Sequence, residues 1–436
     1  MIGVVISRAD TASVTIGDQL RTRGDWTAFE DRSNPDGWGA RGYRRPGITV
    51  REFDDWHLEL SDVAAAFDDP SLVVFASRHS GETGQLLSTH FTGNIGAAEY
   101  GGDPRTLATA APNAGRHLLQ TLDDVAPPDY EVSLECTHHG PTDVGAPSLF
   151  VEVGSGEDQW TDPEATEAVA SAILQLRGVD PVGDRTIVSI GEGHYAPRAT
   201  RIVRETDWAV GHVAPDWAIP ALTGADTVID QLFTRSTATH AILTDVPDAV
   251  GDQVRRAGYT VVSETWVRET TGVDLDRVTA LESLLCTVDD GLRFGDRATV
   301  DDDLVVQVLP EAVLDASLGV DVAATRSAVE ATTAAFETTE GGSRVAGRVA
   351  VPTPPGFDPV LEALGSVLET GYDTVEVQDD AIVVTDTVFD PAAARDHGVP
   401  EGPQFGRLAD GESVTVDGDT ITPEMVTTRR TRRLPL

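Results

Sequence analysis

The amino-acid sequence predicts an α/β fold: a three-layer domain with a mostly parallel or mixed sheet, followed by a smaller α+β C-terminal appendage. Over about the first 275 residues, short apolar segments alternate with helical segments, which is the pattern of a layered α/β domain. The character then changes, because residues 300–436 contain a single His and few aromatic side chains. We therefore expect a catalytic domain over residues 1–290 and an extension over residues 300–436.

The predicted strands are short and rich in β-branched residues, as expected for strands that are buried on both faces. In chain order they are Ile2–Ser7, Leu72–Ser77, Glu131–Cys136, Leu149–Val153, Thr186–Ile190, His240–Thr244 and Thr260–Ser263. The helices predicted between them are Arg105–Leu122, Pro163–Leu176, Ala225–Arg235 and Pro247–Ala257. Asp162 before Pro163 is a capping residue followed by proline, which is typical of a helix start.

Three further elements are predicted nearer the C-terminus. Asp274–Thr287 has the pattern of a helix, and the stretch from Pro352 to Pro355 with Gly356 is typical of a linker or turn. Glu412–Thr422 is typical of a hairpin with a glycine in its turn. The last residues include four Arg within 429–433, which we interpret as a short basic tail.

Residues 9–57 fit the alternating pattern poorly and are enriched in Arg and aromatic side chains. Such side chains suit phosphate pairing and base or ribose stacking, so the stretch is a candidate nucleic-acid-binding surface. The alternative is a solvated insertion whose Arg residues pair with local carboxylates. The residues concerned are Arg21, Arg23, Arg32, Arg41, Arg44, Arg45, Arg51, Trp26, Phe29, Trp38, Tyr43 and Trp56.

The charge balance predicts a folded protein adapted to a very salty cytoplasm. The chain has 32 basic and 72 acidic residues, a formal net charge of −40, and every basic residue is Arg. Such a surplus destabilises a compact fold in dilute buffer, but at 1 M salt the Debye length is only about 3 Å. Disorder is not expected, since 40% of the residues are hydrophobic and follow regular patterns.

Neither secretion nor membrane insertion is expected. The first ten residues have the pattern of a strand and lack the regions of a signal peptide, and no run of about 18 apolar residues occurs. The two cysteines, Cys136 and Cys286, have no zinc-finger spacing and cannot build a disulfide framework. These features predict a cytoplasmic protein.

Histidines follow several of the predicted strands. His79 follows Leu72–Ser77, His138 and His139 follow the strand that ends at Cys136, and His194 follows a turn of Gly191, Glu192 and Gly193. The loops at the carboxyl ends of parallel strands line one crevice, so these imidazoles are expected to meet there. The glycines of the turn are expected to allow a ligand close to the backbone.

Several chemistries fit such a group of side chains. Imidazoles with a carboxylate, for which Glu152 is the candidate, are the ligand set of catalytic zinc, although no HExxH or CxxC spacing is present. Histidine acting as a general base without metal is an alternative. A Cys136 nucleophile paired with His138 or His139 is another. His212 is more typical of an ordinary loop residue.

The blocks around these histidines resemble the archaeal and plant D-aminoacyl-tRNA deacylases in order and spacing. The resemblance covers about residues 1–275, and its most specific parts are the THHGP and GHYAPR blocks. The blocks are Ser77-Arg78-His79-Ser80, His90-Phe91-Thr92-Gly93-Asn94, Glu135-Cys136-Thr137-His138-His139-Gly140-Pro141, Glu152-Val153-Gly154-Ser155 and Gly191-Glu192-Gly193-His194-Tyr195-Ala196-Pro197-Arg198.

The resemblance implies hydrolysis of the ester between a D-amino acid and tRNA, and also clearance of glycine mischarged onto alanine tRNA. It further implies two zinc ions per subunit and a fold related to peptidyl-tRNA hydrolases and nucleoside phosphorylases. We expect aminoacyl-tRNA to be the partner of an enzyme that is a monomer and has no stable protein partner. The rival functions are a metal-dependent amidase or phosphoesterase acting on a small molecule, and a tRNA-binding protein without catalysis.

Within this resemblance each site residue is given an expected role. The metal ligands are predicted to be His79, His138, His194 and Glu152. The catalytic residues are predicted to be His138, His139, His194 and Glu192, and the substrate-binding residues Arg78, His90, Asn94 and Arg198.

The tail departs from the shorter members of that family. Its segment from Gly398 to Leu408, with Gly411–Val414, resembles a stretch near the C-terminus of tRNA 3′-processing endonucleases of the metallo-β-lactamase class. The resemblance implies a module that binds the end of tRNA.

Overall fold

The computed structural model of the chain describes residues 1–300 and 302–436. These residues form two compact units, Met1–Thr271 and Gly272–Leu436. No helix among them is long and apolar enough to cross a membrane.

The strands of the first unit follow the predicted pattern and add several that the sequence did not reveal. They are β1 (Ile2–Ser7), β2 (Thr27–Glu30), β3 (Trp38–Arg45), β4 (Ile48–Phe53), β5 (Leu72–Arg78), β6 (Leu86–His90), β7 (Gly93–Asn94), β8 (Thr106–Leu107), β9 (Glu131–Leu134), β10 (Ser148–Gly154), β11 (Thr186–Glu192), β12 (Ala209–Pro215), β13 (His240–Leu243) and β14 (Thr260–Val261).

The helices of this unit are α1 (Thr11–Arg21), α2 (Pro112–Val125), α3 (Glu157–Trp160), α4 (Pro163–Gln175), α5 (Pro197–Glu205), α6 (Ile219–Leu222), α7 (Asp226–Thr234), α8 (Asp248–Arg256) and α9 (Glu264–Glu269). Short 3₁₀ helices cover His57–Glu59, Val63–Ala66 and Asp216–Ala218. The helix predicted from residue 105 begins only at Pro112, which occupies its first turn. The preceding residues are extended and include β8.

Two sheets organise the unit. The larger is mixed, with eight strands in the order β2-β3-β4-β1-β5-β10-β6-β9, and the smaller has the order β12-β11-β13-β14 with all neighbours parallel. Within the larger sheet β4, β1, β5 and β10 run parallel, whereas β6 pairs antiparallel with β10 and parallel with β9. The prediction of an α/β fold with a mixed sheet is confirmed.

Residues 9–57 are an integral part of this sheet and not an insertion. They supply helix α1, the antiparallel strands β2 and β3, and β4, which pairs parallel with β1. Asp10 caps α1 by accepting a hydrogen bond from the backbone N–H of Ser13 at 3.1 Å. The strands were missed because Arg and Gly interrupt their apolar alternation.

Alternation of side chains gives the larger sheet two apolar faces. Helices α1, α4 and α2 cover one face. The other face carries a buried cluster that includes Val5, Phe75 and Phe150, with Phe75 and Phe150 stacked at 4.5 Å between ring centroids. Glu152 lies two residues beyond Phe150 in β10, and therefore points to the same face.

The second unit is an α+β structure. Its strands are β15 (Leu292–Phe294), β16 (Asp303–Val308), β17 (Ala335–Thr339), β18 (Arg344–Thr353), β19 (Thr374–Gln378), β20 (Ala381–Phe389), β21 (Val414–Val416), β22 (Asp419–Ile421) and β23 (Thr427–Pro435). Its helices are α10 (Leu275–Leu284), α11 (Glu311–Val320), α12 (Val322–Thr332), α13 (Asp358–Glu369), α14 (Pro391–Asp396) and α15 (Pro403–Ala409), with 3₁₀ helices at Glu340–Gly342 and Pro423–Val426.

Antiparallel pairing dominates this unit. Its sheets have the orders β15-β17-β18-β16 and β19-β20-β23, and β21 and β22 form the predicted hairpin. The hairpin turn is Asp417-Gly418, with φ of +50° and +95°, as a two-residue type I′ turn requires. The basic residues 429–433 are not a free tail, because they lie in β23, which pairs with β20 along its whole length.

Candidate functional site

Six side chains of the first unit converge in two groups of three potential metal ligands. One group is His90, His138 and His139, and the other is His79, Glu135 and His194. Within each group the nearest ligand atoms all lie within 4.8 Å of one another. Such spacing allows three donors to reach one ion.

The two groups adjoin one another. The rings of His138 and His194 have centroids 4.8 Å apart, and Nε2 of His138 lies 3.9 Å from Oε2 of Glu135. The structure therefore brings together His79, His138, His139 and His194, as the positions of these residues after strands predict. It adds His90 and Glu135 to them.

The direction of the strands explains why His90 and Glu135 are included. His79 follows β5, whereas His90 ends β6 and Glu135 follows β9, and these two strands run opposite to β5. The site thus lies over the sheet face that carries Phe150, not simply at one edge of parallel strands. His194 arrives from the loop after β11, where its carbonyl accepts a hydrogen bond from the backbone N–H of Cys136 at 2.7 Å.

The first group presents Nε2 atoms that are free to bind an ion. Nδ1 of His138 lies 2.8 Å from the carbonyl of Cys136, and Nδ1 of His139 lies 2.6 Å from the carbonyl of Gly140. An Nδ1–H that donates to a carbonyl leaves the lone pair on Nε2. Burial lowers the pKa of His138 well below its ordinary value and that of His139 to about 3, so both rings are neutral.

His90 completes this group from the floor of the site. Its Nδ1 lies 3.3 Å from the carbonyl of Phe91, and its buried Nε2 has no hydrogen-bond partner among the described residues. Burial opposes a charge on this ring, but the nearby carboxylates of Glu152 and Glu135 outweigh it and raise the pKa of His90. A buried imidazole nitrogen without a partner is expected to have a ligand.

The second group is built around the buried carboxylate of Glu135. Its Oε2 lies 2.7 Å from Nε2 of His194 and 3.8 Å from Nε2 of His79, and its buried Oε1 has no hydrogen-bond partner among the described residues. Burial favours the neutral acid, but the hydrogen bond with His194 and the surrounding imidazoles outweigh it and lower the pKa of Glu135. An ionised carboxylate in this position can bind a cation.

His79 is held at the wall of the site by its other ring nitrogen. Nδ1 lies 3.0 Å from Oγ of Ser155, while Nε2 lies 3.3 Å from the hydroxyl of Tyr195. Burial lowers the pKa of His79. Gly154 makes room for this ring, because a Cβ there would lie 2.7 Å from both Cβ and Nδ1 of His79.

Glu152, which was predicted to be a metal ligand, lies behind His90 in neither group of three. Its Oε1 is 3.6 Å from Nε2 of His90, and its side chain is buried. Burial raises the pKa of Glu152 to about 7. This position suits a residue that orients His90 or exchanges a proton near neutral pH more directly than it suits a ligand.

Glu192 and Arg198 do not point into the group of imidazoles. The Glu192 carboxylate accepts hydrogen bonds from the hydroxyl of Ser189 and from the backbone N–H groups of Arg198 and Ala199, at the start of α5. The Arg198 guanidinium binds Glu264, the carbonyl of Leu243 and the hydroxyl of Thr244. Both side chains therefore anchor α5, which does not favour their predicted catalytic and substrate-binding roles.

The glycine turn before His194 also has a structural reason. Gly191 has a φ of +99°, and a Cβ there would lie 2.0 Å from the carbonyl oxygen of Thr244. The glycine was expected to let a ligand approach the backbone. It is instead the carbonyl of Thr244, at the end of the neighbouring strand β13, that comes close to Gly191.

Asn94 and Arg78 do line the site. Asn94 donates hydrogen bonds from Nδ2 to the carbonyls of Gly101 and Asp103, at 2.8 and 3.2 Å, and so holds the loop beside the cavity. Arg78 immediately precedes His79, and its Cζ lies over the indoles of Trp56 and Trp160, at 4.4 and 4.6 Å from their ring centroids.

Two other histidine and cysteine hypotheses are resolved by their surroundings. His212 is fully buried between the hydroxyl of Thr137 and the carbonyl of Ala108, each at 2.9 Å, and lies outside both groups. Burial raises the pKa of the Cys136 thiol, and its Sγ lies 3.8 Å from Nδ1 of His194. A thiol held in its protonated form is a poor nucleophile.

The Arg-rich stretch is mostly engaged in local contacts. Arg21 pairs with Asp18 and Glu52, Arg23 with Glu167, and Arg51 with Asp31, while Arg45 donates to a backbone carbonyl. Arg32, Arg41 and Arg44 have no ion pair within the described residues. The basic surface that the sequence suggested is therefore reduced to these three side chains.

Glu135 is the functional candidate that sequence reasoning passed over. It stands in the motif block before Thr137 and His138, directly after β9, whose Val132 and Leu134 are buried. A carboxylate buried in such a position has to be paired or coordinated, which is the signal that was available.

Two cavities flank the imidazoles and share Tyr100, His138, His139 and His194. The first has a volume of about 500 Å³ and is lined mainly by apolar side chains, including Ile95, Trp217 and Ala221. The second has a volume of about 400 Å³ and contains Trp56, Arg78, His79 and Glu152. Both cavities therefore open onto the same three imidazoles, and a ligand that contacts these rings has room on either side.

Comparison with known proteins identifies close relatives. The model of the D-aminoacyl-tRNA deacylase family matches residues 66–263. A protein of Halorubrum lacusprofundi named D-aminoacyl-tRNA deacylase is 48% identical over 100% of this chain and 97% of the relative. One of Halobacterium salinarum with the same name is 50% identical over 99% of this chain and 95% of the relative.

A solved structure is also similar. The crystal structure of a conserved protein of unknown function is 30% identical, with a TM-score of 0.57, and the match covers 62% of this chain and 98% of that one. The halophile relatives therefore match the extension as well, whereas the solved protein matches less than two thirds of the chain.

Proposed function

The chain belongs to the D-aminoacyl-tRNA deacylase family, and from this premise we propose that it hydrolyses the ester that joins a D-amino acid to tRNA. The observation that carries the proposal is the pair of adjacent ligand groups, His90/His138/His139 and His79/Glu135/His194, in one crevice flanked by two cavities. An ester hydrolase needs an electrophilic centre for the carbonyl, a proton acceptor for water and room on both sides of the scissile bond.

The donor set fits divalent metal, and zinc in particular. Five imidazoles and one carboxylate are nitrogen and oxygen donors that zinc prefers, and three per group leaves a position open in a tetrahedral site. Two buried atoms, Nε2 of His90 and Oε1 of Glu135, have no hydrogen-bond partner among the described residues. We propose one zinc ion for each group. Bound zinc would supply a Lewis acid for the ester carbonyl and lower the pKa of water.

The residues of the chain supply the proton chemistry. Glu135 holds the ring of His194 at the open side of the site, with 2.7 Å between Oε2 and Nε2. The side chain of His194 is 33% exposed, which makes it the member of its group that an incoming ester reaches. Glu152, with its raised pKa near neutrality, is a candidate to accept and return a proton beside His90.

Exposed aromatic side chains suit the large substrate. Trp217 is 56% and Tyr100 is 67% exposed, and both line the first cavity. The Trp217 ring stacks on His194 with centroids 5.9 Å apart and an interplanar angle of 17°. Aromatic faces exposed at a catalytic site are suited to stack on a base or on the side chain of the amino acid.

Three further features of the proposal depend on the family. They are the hydrolysis of glycine mischarged onto alanine tRNA, the relation of the fold to peptidyl-tRNA hydrolases and nucleoside phosphorylases, and a role of residues 300–436 in binding the tRNA end. In support of the last, the segment that resembles the endonucleases packs Val399, Leu408 and Val414 into its own small apolar cluster.

A deacylation assay tests the proposed function. D- and L-tyrosyl-tRNA are incubated with the protein in molar KCl, with and without a chelator. We expect hydrolysis of the D-ester, little of the L-ester, and loss of activity on chelation that added zinc restores. If neither ester is hydrolysed faster than the uncatalysed rate, the proposal is refuted and a small-molecule hydrolase is favoured.

A further inference from the structure

The guanidinium of Arg78 has no acceptor in the part of the chain that the structure describes. Its Cζ lies over the rings of Trp56 and Trp160, at 4.4 and 4.6 Å from the ring centroids. A guanidinium that contacts aromatic rings through its face keeps its N–H edge available for hydrogen bonds. Among the described residues, other half-buried Arg side chains without a carboxylate partner, such as Arg45 and Arg277, donate to backbone carbonyls, whereas Arg78 meets no acceptor.

The position of this side chain is fixed from behind. The buried carboxylate of Asp10 accepts a hydrogen bond from the Arg78 backbone N–H at 3.0 Å and one from the Ser77 hydroxyl at 3.2 Å. The indole N–H of Trp160 donates to the carbonyl of His79 at 2.9 Å. The stacked arrangement is thereby tied to the residue that precedes one of the proposed metal ligands.

Arg78 lines the second cavity together with His79, His138, His139 and His194. Resting on the proposed function, we propose that this cavity takes the terminal nucleotide of the tRNA and that Arg78 binds its 5′ phosphate. The two sides of the scissile ester differ in charge, because the amino acid carries an ammonium group and the nucleotide carries phosphate. A cation with a free N–H edge attracts the phosphate and repels the ammonium.

The same assignment leaves the first cavity, with Ile95, Trp217 and Ala221, for the side chain of the amino acid. Both volumes, about 500 and about 400 Å³, lie in the range of small-ligand sites. In this proposal the charge of Arg78 sets the orientation of the substrate, with the nucleotide in the second cavity and the amino-acid side chain in the first.

Two minimal substrates separate the phosphate from the rest of the tRNA. One is 2′(3′)-O-D-tyrosyl-AMP and the other is 2′(3′)-O-D-tyrosyladenosine, which differ only in the 5′ phosphate. For the unaltered protein in molar KCl we expect kcat/KM to be on the order of 10- to 100-fold higher for 2′(3′)-O-D-tyrosyl-AMP than for 2′(3′)-O-D-tyrosyladenosine. In Arg78→Gln the ratio of the two kcat/KM values should fall toward one, mainly because the rate on 2′(3′)-O-D-tyrosyl-AMP falls.

Two further variants keep the experiment decisive. Arg78→Lys retains the charge without the planar fork and should keep part of the preference. Arg256→Gln makes the same change of charge on the exposed end of α8, outside both cavities, and should keep all of it. Calorimetric binding of AMP and of adenosine gives a second readout, and a thermal melt of each variant reports its folding.

The outcomes distinguish this inference from the proposed function. If D-tyrosyl-tRNA is hydrolysed but Arg78→Gln lowers the rates on both esters equally, or AMP binds no better than adenosine, the phosphate role is overturned and Arg78 is a structural filler. If D-tyrosyl-tRNA is not hydrolysed, the proposed function fails. AMP binding that Arg78→Gln weakens, with adenosine binding unchanged, would still support the phosphate site.

Discussion

Nε2 of His194 lies 2.7 Å from Oε2 of Glu135, and the other oxygen of this carboxylate is buried without a hydrogen-bond partner among the described residues. One oxygen thus holds a partly exposed ring in place while the second is left for the proposed ion. In the proposed function, this one carboxylate would join the binding of metal to the orientation of a group that meets the substrate.

Replacing Glu135 by Gln keeps the volume of the side chain and removes its charge. We expect kcat/KM for D-tyrosyl-tRNA to fall by about 100-fold or more, and metal affinity to fall by about 10- to 100-fold. The measurements are single-turnover deacylation and zinc content after dialysis. Glu131→Gln, an exposed position at the start of the same strand, is the matched control. Zinc content and rate that stay at the level of the control would exclude Glu135 from the site.

For Glu192, in contrast to Glu135, we expect a substitution to lower stability and leave kcat nearly unchanged. Because its carboxylate accepts the backbone N–H groups of Arg198 and Ala199 at the start of α5, Glu192→Gln should destabilise the fold by about 1 kcal/mol. The rate constant kcat should change by less than about threefold, since the side chain does not reach the imidazoles. Denaturant melts and kcat measured on the same preparation test this. A collapse of kcat at full stability would restore the catalytic role that the sequence suggested.

Gly154 is predicted to be essential for the placement of His79. A Cβ at this position would lie 2.7 Å from His79, closer than side chains pack, so Gly154→Ala must displace the ring. We expect weaker zinc binding and at least about tenfold lower kcat/KM. Gly156→Ala is the control, because its Cβ would meet only the end of the Gln159 side chain at 3.4 Å. Equal zinc binding by the two variants would contradict this account.

The sequence predicted the strands of the first unit best where they are continuous apolar runs, such as β5 and β10. It missed β6, because Leu86–His90 mixes apolar and polar residues and is short. The direction of β6 depends on pairing with β10, which lies some sixty residues away in the chain. No local pattern encodes that contact.

The same long-range pairing explains where the geometry of the site differs from the predicted roles. The motif blocks identified His79, His138, His139 and His194 as candidates, and the structure brings these four together. Without the position of β6 beside β10, however, His90 was assigned to substrate, Glu152 to the metal, and Glu135 to no role. Which carboxylate faces an ion and which stands behind a ring depends on the packing of strands, not on the spacing of residues.

His212 is expected to make stability depend on pH. Burial is the main cause that holds its pKa at about 4, with a smaller contribution from the charge of Arg235. An exposed imidazole titrates near 6.5, so the unfolded chain takes up a proton between about pH 6.5 and 4 that the folded chain refuses. The contribution of His212 to the free energy of unfolding is therefore complete above pH 6.5 and is lost as the pH falls through 4. The loss amounts to at most roughly 3 kcal/mol.

The slope of stability against pH measures this contribution. In molar KCl, where carboxylate repulsion is screened, denaturant melts of His212→Gln should show a shallower loss between pH 6.5 and 4 than the unaltered chain. His117→Gln, on the half-exposed side of α2, should keep the original slope. Identical slopes for all three proteins would contradict the assignment to His212.

The stability of the fold and the deacylation rate are expected to depend strongly on salt concentration. The net charge is −40, and the ion pairs of its Arg residues, such as Arg204 with Asp123 and Arg430 with Asp386, leave most carboxylates without a partner of opposite charge. At 0.01 M salt the Debye length is about 30 Å, so each carboxylate is repelled by many neighbours, whereas at 1 M it is about 3 Å. A folded domain is stable by only about 5–15 kcal/mol, so a small repulsion summed over dozens of pairs decides whether it folds.

We therefore expect the melting temperature and the deacylation rate to fall together as KCl is lowered from molar to millimolar concentration. Sodium chloride at equal ionic strength should support the fold about as well, because screening depends on ionic strength and not on the identity of the cation. A melting temperature that stays flat across the KCl series would contradict this account of the acidic surface.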